Sequence, residues 1–382
     1  VTILSGAKVV TSEGVIPQGW VEVAGQRITW VGSGSPPAGP RIDLAGQWLL
    51  PGFIDLHMHG GGGFDVTASP AELRGAVRFH RSHGTTRTLI SLVAAPVTDL
   101  IRQLGWVAQA TATDEGIQGA HLEGPFLSPG RCGAQNPHHL LTPNVITFDA
   151  LLAAARGTLK VITLAPELPD ALALIASAVT AGIIPAMGHS DATFAQAQAA
   201  IDAGVTLATH LFNGMRPYLH REPGIVGAAL TSGIACEIIN DGIHVHPATT
   251  ALVAQVADRL ILVTDAMAAA GSPDGGYWLG GQSVSVQGGV ARLATDRSLA
   301  GSTLTMDSAV GRAVQHCGLN IQAASRAASG SPAQLLGIDS DVGSIAPGMI
   351  ADLVVLNSSY QAVAVMVGGI LNTSNSATAP TS

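Results

Sequence analysis

The sequence predicts an α/β protein, a (β/α)8 TIM-like barrel with a small β-sandwich domain formed by its N- and C-terminal segments. Three observations predict it. Eight apolar strand-like runs alternate with Ala-rich amphipathic stretches, β-like pieces crowd the chain up to about Leu50 and return near its end, and polar residues recur at the carboxyl ends of the runs.

The opening pieces are VTILSGAKVV, WVEVAGQRITWVG and RIDLAGQWLL, with the Gly/Pro-rich GSGSPPAGP as a loop between the last two. The closing pieces are GSIAPGMIADLVVLNSS and QAVAVMVGG. Residues 1–48 and 341–371 are therefore expected to pair as one β domain and 49–340 to form the barrel. Residues 372–382, NTSNSATAPTS, lack an apolar pattern and are expected to be a flexible tail. The barrel runs are LLPGFIDLHMH, TTRTLISLV, IQGAHLEG, TLKVITLAPE, IIPAMGHS, TLATHLF, IACEIIND and LILVTDAM. A doubly wound open sheet is the competitor, but no GxGxxG follows the first strand, and Gly60 to Gly63 follow a His-rich strand end instead.

With 382 residues, 47% apolar and 12% charged, the chain is long enough for a large core and too apolar for a disordered or coiled-coil protein. A net charge of −8 gives nucleic acid no general reason to bind. Cys132, Cys236 and Cys317 are odd in number and far apart, which fits a reducing compartment, and the first residues do not read as a signal peptide; a cytoplasmic location is expected. Ala171 to Gly188 is uncharged, but Ser177, Thr180, Gly182 and Pro185 make it a buried helix followed by a buried strand rather than a membrane span.

Barrel enzymes place reacting groups at the carboxyl ends of the strands, where the βα loops form one open face. Here strand one ends in His57 and His59, strand three in Glu123, strand five in His189, strand six in His210 and strand eight in Asp265. Side chains two apart on a strand point the same way, so His57 and His59 can grip one ion, while Asp55 lies one layer deeper. Four imidazoles and two carboxylates exceed one tetrahedral site and suit two divalent metals per subunit, with Glu123 as the bridge. Zinc fits this donor set best, with Fe2+, Mn2+ and Co2+ as the other candidates. A carboxylated lysine on strand four is the common alternative bridge, but Lys160 lies at the wrong end of that strand. Taken singly, a strand-end histidine is more often a hydrogen-bonded structural residue, and His121 is read that way. LFNGMRPYLHREPG and INDGIHVHP bring Asn213, Gly214, Arg216, Arg221, His244 and His246 towards the same face, which points to an anionic or polyhydroxyl substrate; a surface ion pair of Arg221 with Glu222 is the plain reading.

PGFIDLHMHGGGG, HLEGPF, GHSDA, THLFNGM, REPG, DGIHV, VTDAM and GSIAPGMIADLVVL together resemble the N-acetylglucosamine-6-phosphate deacetylases of the amidohydrolase superfamily, over nearly the whole chain. The resemblance implies a metal-dependent deacetylase of amino-sugar recycling, usually a homodimer, that releases acetate and glucosamine 6-phosphate. It implies that Glu123, His189 and His210 form the metal site common to the family and that His57 and His59 add a second. It further implies Asp265 as catalytic acid/base and metal ligand, Asn213 and Gly214 as phosphate contacts, His244 as a sugar or phosphate contact, and Arg221 as a phosphate contact reaching the neighbouring subunit. Where some relatives carry a histidine that polarises the acetyl carbonyl, this chain has Gln135, which can donate a hydrogen bond but carries no charge. The expected reaction is attack of metal-activated hydroxide on the acetamide, Asp265 taking the proton and returning it to the leaving amine. The rival readings are an amidohydrolase acting on another N-acyl sugar or a cyclic amide, a deaminase, and a silent metal-binding barrel.

Overall fold

The structure, a computed structural model, describes residues 1–373. Both ends of the chain enter one eight-stranded sheet. Its order is Ile370–Thr373, Ala362–Val367, Leu353–Leu356, Trp48–Pro51, Thr2–Thr11, Gly14–Ala24 and Arg27–Ser33, with Arg41–Asp43 also paired to Thr2–Thr11. Thr2–Thr11 and Gly14–Ala24 form a hairpin, tied at its turn by Thr11 Oγ1 donating to Gly14 O at 2.9 Å. Leu4, Val9, Val21, Ile28, Leu49, Leu353 and Val355 supply its core, so alternation along these strands buries one set of side chains. The first two residues of the tail expected from 372 are instead strand: Asn372 and Thr373 pair with Val365 and Ala364, because main-chain pairing needs no apolar side chain. The remainder of that expected tail, 374–382, lies outside the described residues.

The second sheet is parallel. Phe53–Asp55, Thr85–Val93, Ile117–Glu123, Leu159–Leu164, Ile184–Met187, Leu207–Ala208, Ala235–Ile239 and Arg259–Val263 follow one another in chain order, one strand from each of the eight runs. A parallel bridge between Met58 and Ala266 joins the first run to the eighth, with His59 N donating to Ala266 O and Asp265 N to His57 O, both at 2.8 Å. The barrel closes at this seam. Every residue of Thr85–Val93 is buried, as expected of a strand covered on both faces. The run LLPGFIDLHMH divides between the sheets at Gly52, where a Cβ would collide with the Thr86 side chain.

The helices between strands start where the sequence offers caps. Thr193 and Gln196 make a reciprocal capping box for Phe194–Asp202, and Asn144 accepts from Ile146 N and Thr147 N ahead of Val145–Ala155. Ala171 to Gly188 divides into the helix Ala171–Thr180 and the strand Ile184–Met187. Among the described residues no helix is long and apolar enough to cross a membrane. An antiparallel sheet of Gly275–Leu279, Gln282–Gln287 and Val290–Leu293, without counterpart among the expected strands, follows the eighth barrel strand. Val284, Val286 and Leu293 pack it onto Met267, Ala269 and Val93, and Gln282 Nε2 donates to Ala134 O. The alternation in QSVSVQ is its sequence signal.

By contact density the chain gathers into two compact units. One holds Val1–Asp55, Arg78–Arg87 and the described residues from Thr305, and the other holds Leu56–Val77 and Thr88–Leu304. The side chains of the site all belong to the second.

Candidate active site

His57 and His59 follow the first strand, and their rings are anchored from behind. His57 Nδ1 donates to Glu237 Oε2 at 3.3 Å and His59 Nδ1 to the Ser91 carbonyl at 3.1 Å. With Nδ1 of each ring committed to these acceptors, the two Nε2 atoms are left facing each other at 3.0 Å. Glu123, the last residue of the third strand, reaches both halves of the site. Its Oε1 lies 2.9 Å from His189 Nε2 and 2.9 Å from His210 Nε2, and its Oε2 lies 3.3 Å from His59 Nε2. His189 Nδ1 donates to the Arg131 carbonyl at 2.9 Å, whereas His210 Nδ1 is buried without a hydrogen-bond partner. Asp265 Oδ1 stands 3.2 Å from His59 Nε2 and 3.6 Å from His57 Nε2.

All six of these side chains are buried. His189, His210 and Asp265 have φ of +47°, +29° and +48°, left-handed conformations that non-glycine residues adopt at a cost and that cluster at functional sites. They turn the side chains inward just past the ends of short strands.

Burial opposes charge here, and the close pairs overcome it. Burial would lower His59, but hydrogen bonds to Asp265 and Glu123 bring it up to about 9. Burial would likewise lift Asp265, yet His57 and His59 bring its carboxyl down to about 2. Glu123 is held well below the carboxylate range by His57 and His189 against its own burial, and His57 is raised well above the usual imidazole value by Glu123 and Asp265 despite burial. Imidazole Nε2 atoms converging among carboxylates fit a divalent cation, which would take the place of the protons those nitrogens otherwise hold. Two donor groups share Glu123: His57, His59 and Glu123, then Glu123, His189 and His210, with the ligand atoms of each group within 4.8 Å of one another.

A cavity of about 380 Å3 opens above them, lined by His59, Glu123, His189, His210 and Asp265 and also by Gln135, Asn213, Gly214 and His244. Gln135 is turned towards Glu123: its Nε2 donates to Glu123 Oε2 at 2.6 Å, and its Oε1 accepts from Ala94 N at 2.7 Å. Asn213 Nδ2 donates to the carbonyls of His210 and Leu211. Gly214 has φ +59°, and a Cβ there would lie 2.7 Å from His189 Nδ1, so glycine is required for the close approach. His244 Nδ1 donates to Asp241 Oδ2 at 2.6 Å; burial raises the Asp241 carboxyl, but this bond and the nearby imidazole bring it below its ordinary value.

Several residues gathered with these by the sequence stand elsewhere. Arg216 grips Asp191 through both its main-chain and side-chain oxygens, and His246 caps the helix Pro247–Val256. Arg221 is exposed, does not line the cavity, and touches His220. His121 is buried between Ser91 Oγ and Thr163 Oγ1, at 2.9 and 2.8 Å, and burial with the nearby His57 holds it well below the usual imidazole value. Contributors beyond the sequence reading include Glu237 behind His57, the carbonyls of Ser91 and Arg131 behind His59 and His189, and Leu279, Ser298 and Leu299 on the cavity wall. Only Glu237 carried a signal, as the single acid in the apolar run ACEII.

The chain matches the amidohydrolase family over residues 48–371. N-acetylglucosamine-6-phosphate deacetylase of Bacillus subtilis (strain 168) is 36% identical over 380 residues, 96% of each chain. N-acetylgalactosamine-6-phosphate deacetylase of Escherichia coli O157:H7 is 39% identical over 331 residues, 85% of this chain and 88% of that one. Among solved structures, N-acetyl-D-glucosamine-6-phosphate deacetylase of Mycobacterium smegmatis superposes with a TM-score of 0.94 at 42% identity, covering 97% of this chain and 100% of that one. A mutant of the Mycobacterium smegmatis enzyme in complex with N-acetyl-D-glucosamine-6-phosphate superposes with a TM-score of 0.93 at 43% identity, covering 97% and 98%. Sequence likeness over most of its length and near-identical backbone course agree that the chain belongs to the amidohydrolase family.

Proposed function

We propose that this chain hydrolyses the acetamide of N-acetyl-D-glucosamine 6-phosphate to D-glucosamine 6-phosphate and acetate, in the cytoplasm, as a step of amino-sugar catabolism and cell-wall recycling. The observation that carries the reading is Asp265, ionised and buried at the wall of a cavity whose floor is two donor groups sharing Glu123. The substrate is supported by relatives named for this reaction and by the complex of the Mycobacterium smegmatis mutant.

The donor set suits two divalent cations, zinc first and Fe2+, Mn2+ or Co2+ otherwise, held by His57, His59 and Glu123 and by Glu123, His189 and His210, with Asp265 facing the first group. Such cations, when bound, acidify water and polarise a carbonyl. A carboxylate is too weak a base for ordinary water, so the task of Asp265 presupposes that acidification. Its carboxylate takes the proton of the attacking water. As the carboxylic acid so formed, it gives that proton to the amide nitrogen, and the C–N bond breaks to release a neutral amine and acetic acid, whose remaining proton passes to solvent to leave acetate. Gln135 orients Glu123 and faces the cavity, where its amide can also meet the substrate.

Phosphate recognition is assigned to Asn213, Gly214 and His244. Among the residues lining the cavity there is no lysine or arginine. A phosphate dianion therefore calls for a cation from outside, which supports a homodimer in which Arg221 of the partner subunit reaches the cavity. The Escherichia coli relative named for the galactose epimer gives a second reading, a 6-phosphate of N-acetylgalactosamine. Acetate release should be followed on both phosphosugars and on N-acetylglucosamine itself, with and without chelator. Metal-loaded protein that releases no acetate from either phosphosugar would sink the proposal.

A further inference from the structure

Glu237 is an acid in the middle of the buried strand Ala235–Ile239, 1% exposed. A carboxylate so placed is costly unless it is paired. Its Oε2 accepts from His57 Nδ1 at 3.3 Å and also from the backbone N of His210 at 3.2 Å. Its own carbonyl accepts from Leu211 N at 2.8 Å. One residue therefore touches a member of each donor group: the ring of His57, and the main chain of His210 at its unusual φ of +29°. Glu123 links the groups on the cavity side, and Glu237 links them on the opposite side of the His57 ring. An imidazole binds a cation through one nitrogen only when the other holds the proton, and the acceptor behind the ring decides which is which.

We propose that Glu237 is the positioning residue that makes His57 a cation ligand, and so determines whether the centre holds two cations or one. The inference rests on the two-cation reading given above. Glu123, His189 and His210 keep their own contacts when the charge at Glu237 is removed, so the loss falls on the His57 and His59 group. Glu237→Gln can keep an oxygen in the place of Oε2, preserving both hydrogen bonds while deleting the charge that makes His57 Nε2 a stronger donor. Glu237→Ala also removes the support of His210 and serves only as the harsher comparison.

Metal-free protein should be dialysed against buffered zinc concentrations for the parent, Glu237→Gln, His57→Asn and the double variant, with bound zinc counted per chain. The parent is expected to take up two. Glu237→Gln should keep one at the parent affinity and bind the other roughly ten- to a hundredfold more weakly. In the His57→Asn background the same substitution should change nothing further. Two zinc ions at parent affinity in Glu237→Gln, equal weakening of both, or an undiminished effect in the His57→Asn background would each overturn the inference. A merely structural glutamate would lower the thermal midpoint in both backgrounds and leave the zinc count alone. A parent that takes up a single zinc would overturn the two-cation reading along with it, while acetate release by that parent would leave the proposed reaction standing.

Discussion

The two donor groups that share Glu123 are built in opposite ways. His57 and His59 come from one stretch of chain, two residues apart, and both rings are backed by acceptors within the barrel, Glu237 and the Ser91 carbonyl. His189 and His210 come from different strands, both in left-handed backbone, and only His189 has an acceptor behind it, on the loop at Arg131. The first group is a local motif with both rings braced from within the barrel. The second is assembled by the fold and held by the backbone, so the two should fail differently.

The largest effect is expected at the proton carrier. Asp265→Asn should lose roughly a thousandfold in kcat while still taking up zinc, because the proton carrier is removed and the imidazoles remain; acetate release alongside zinc content checks this, and substantial turnover would place the base elsewhere. His210→Ala should come next, with loss on the order of a hundredfold, and His57→Ala should lose on the order of tenfold. A reversed order would mean that the local motif, not the assembled group, carries the reaction.

Proton competition sharpens the contrast further. In metal-free protein His59 holds its proton up to about pH 9 and His57 is also raised, so zinc must displace protons from this group at neutral pH. Zinc affinity there should climb with pH until about 9, and His57→Ala should reduce the protons released on loading in weakly buffered solution. The smallest effect is expected away from both groups. Asp307 accepts from His83, Thr305 and the backbone N of Ala362. Burial would raise its carboxyl, but these bonds, His83 foremost, keep it below the usual value. Its contribution is therefore present above the unfolded carboxylate pKa of about 3.9 and is lost as pH falls through the lowered native value. Asp307→Asn should cost about 1–2 kcal/mol in urea unfolding at pH 7 and leave kcat unchanged.

The contrast also shows what could be read from the sequence. The eight barrel strands were legible because buried parallel strands are nearly continuous apolar runs, and the six ligand-type residues stand out as polar ends on those runs. Glu237 broke that pattern from inside a run, where an acid reads as noise until its partners are placed. The left-handed backbone at His189, His210 and Asp265 leaves no trace in residue type, since none is glycine. Arg216 and His246 were drawn towards the face by loop position alone, and the fold spends them on Asp191 and a helix cap. The added sheet of Gly275–Leu293 was missed because its alternation is short and rich in serine and glutamine.

The strand Trp48–Pro51 pairs with Leu353–Leu356, a partner that lies some three hundred positions downstream. On a ribosome adding about 5–20 residues per second, Leu49 and Leu50 must wait roughly 15–60 s for the neighbour that covers that edge. Nascent chains stalled before residue 353 would thus present a sticky, half-made sheet to chaperones, and premature termination should yield aggregates rather than a shortened soluble enzyme.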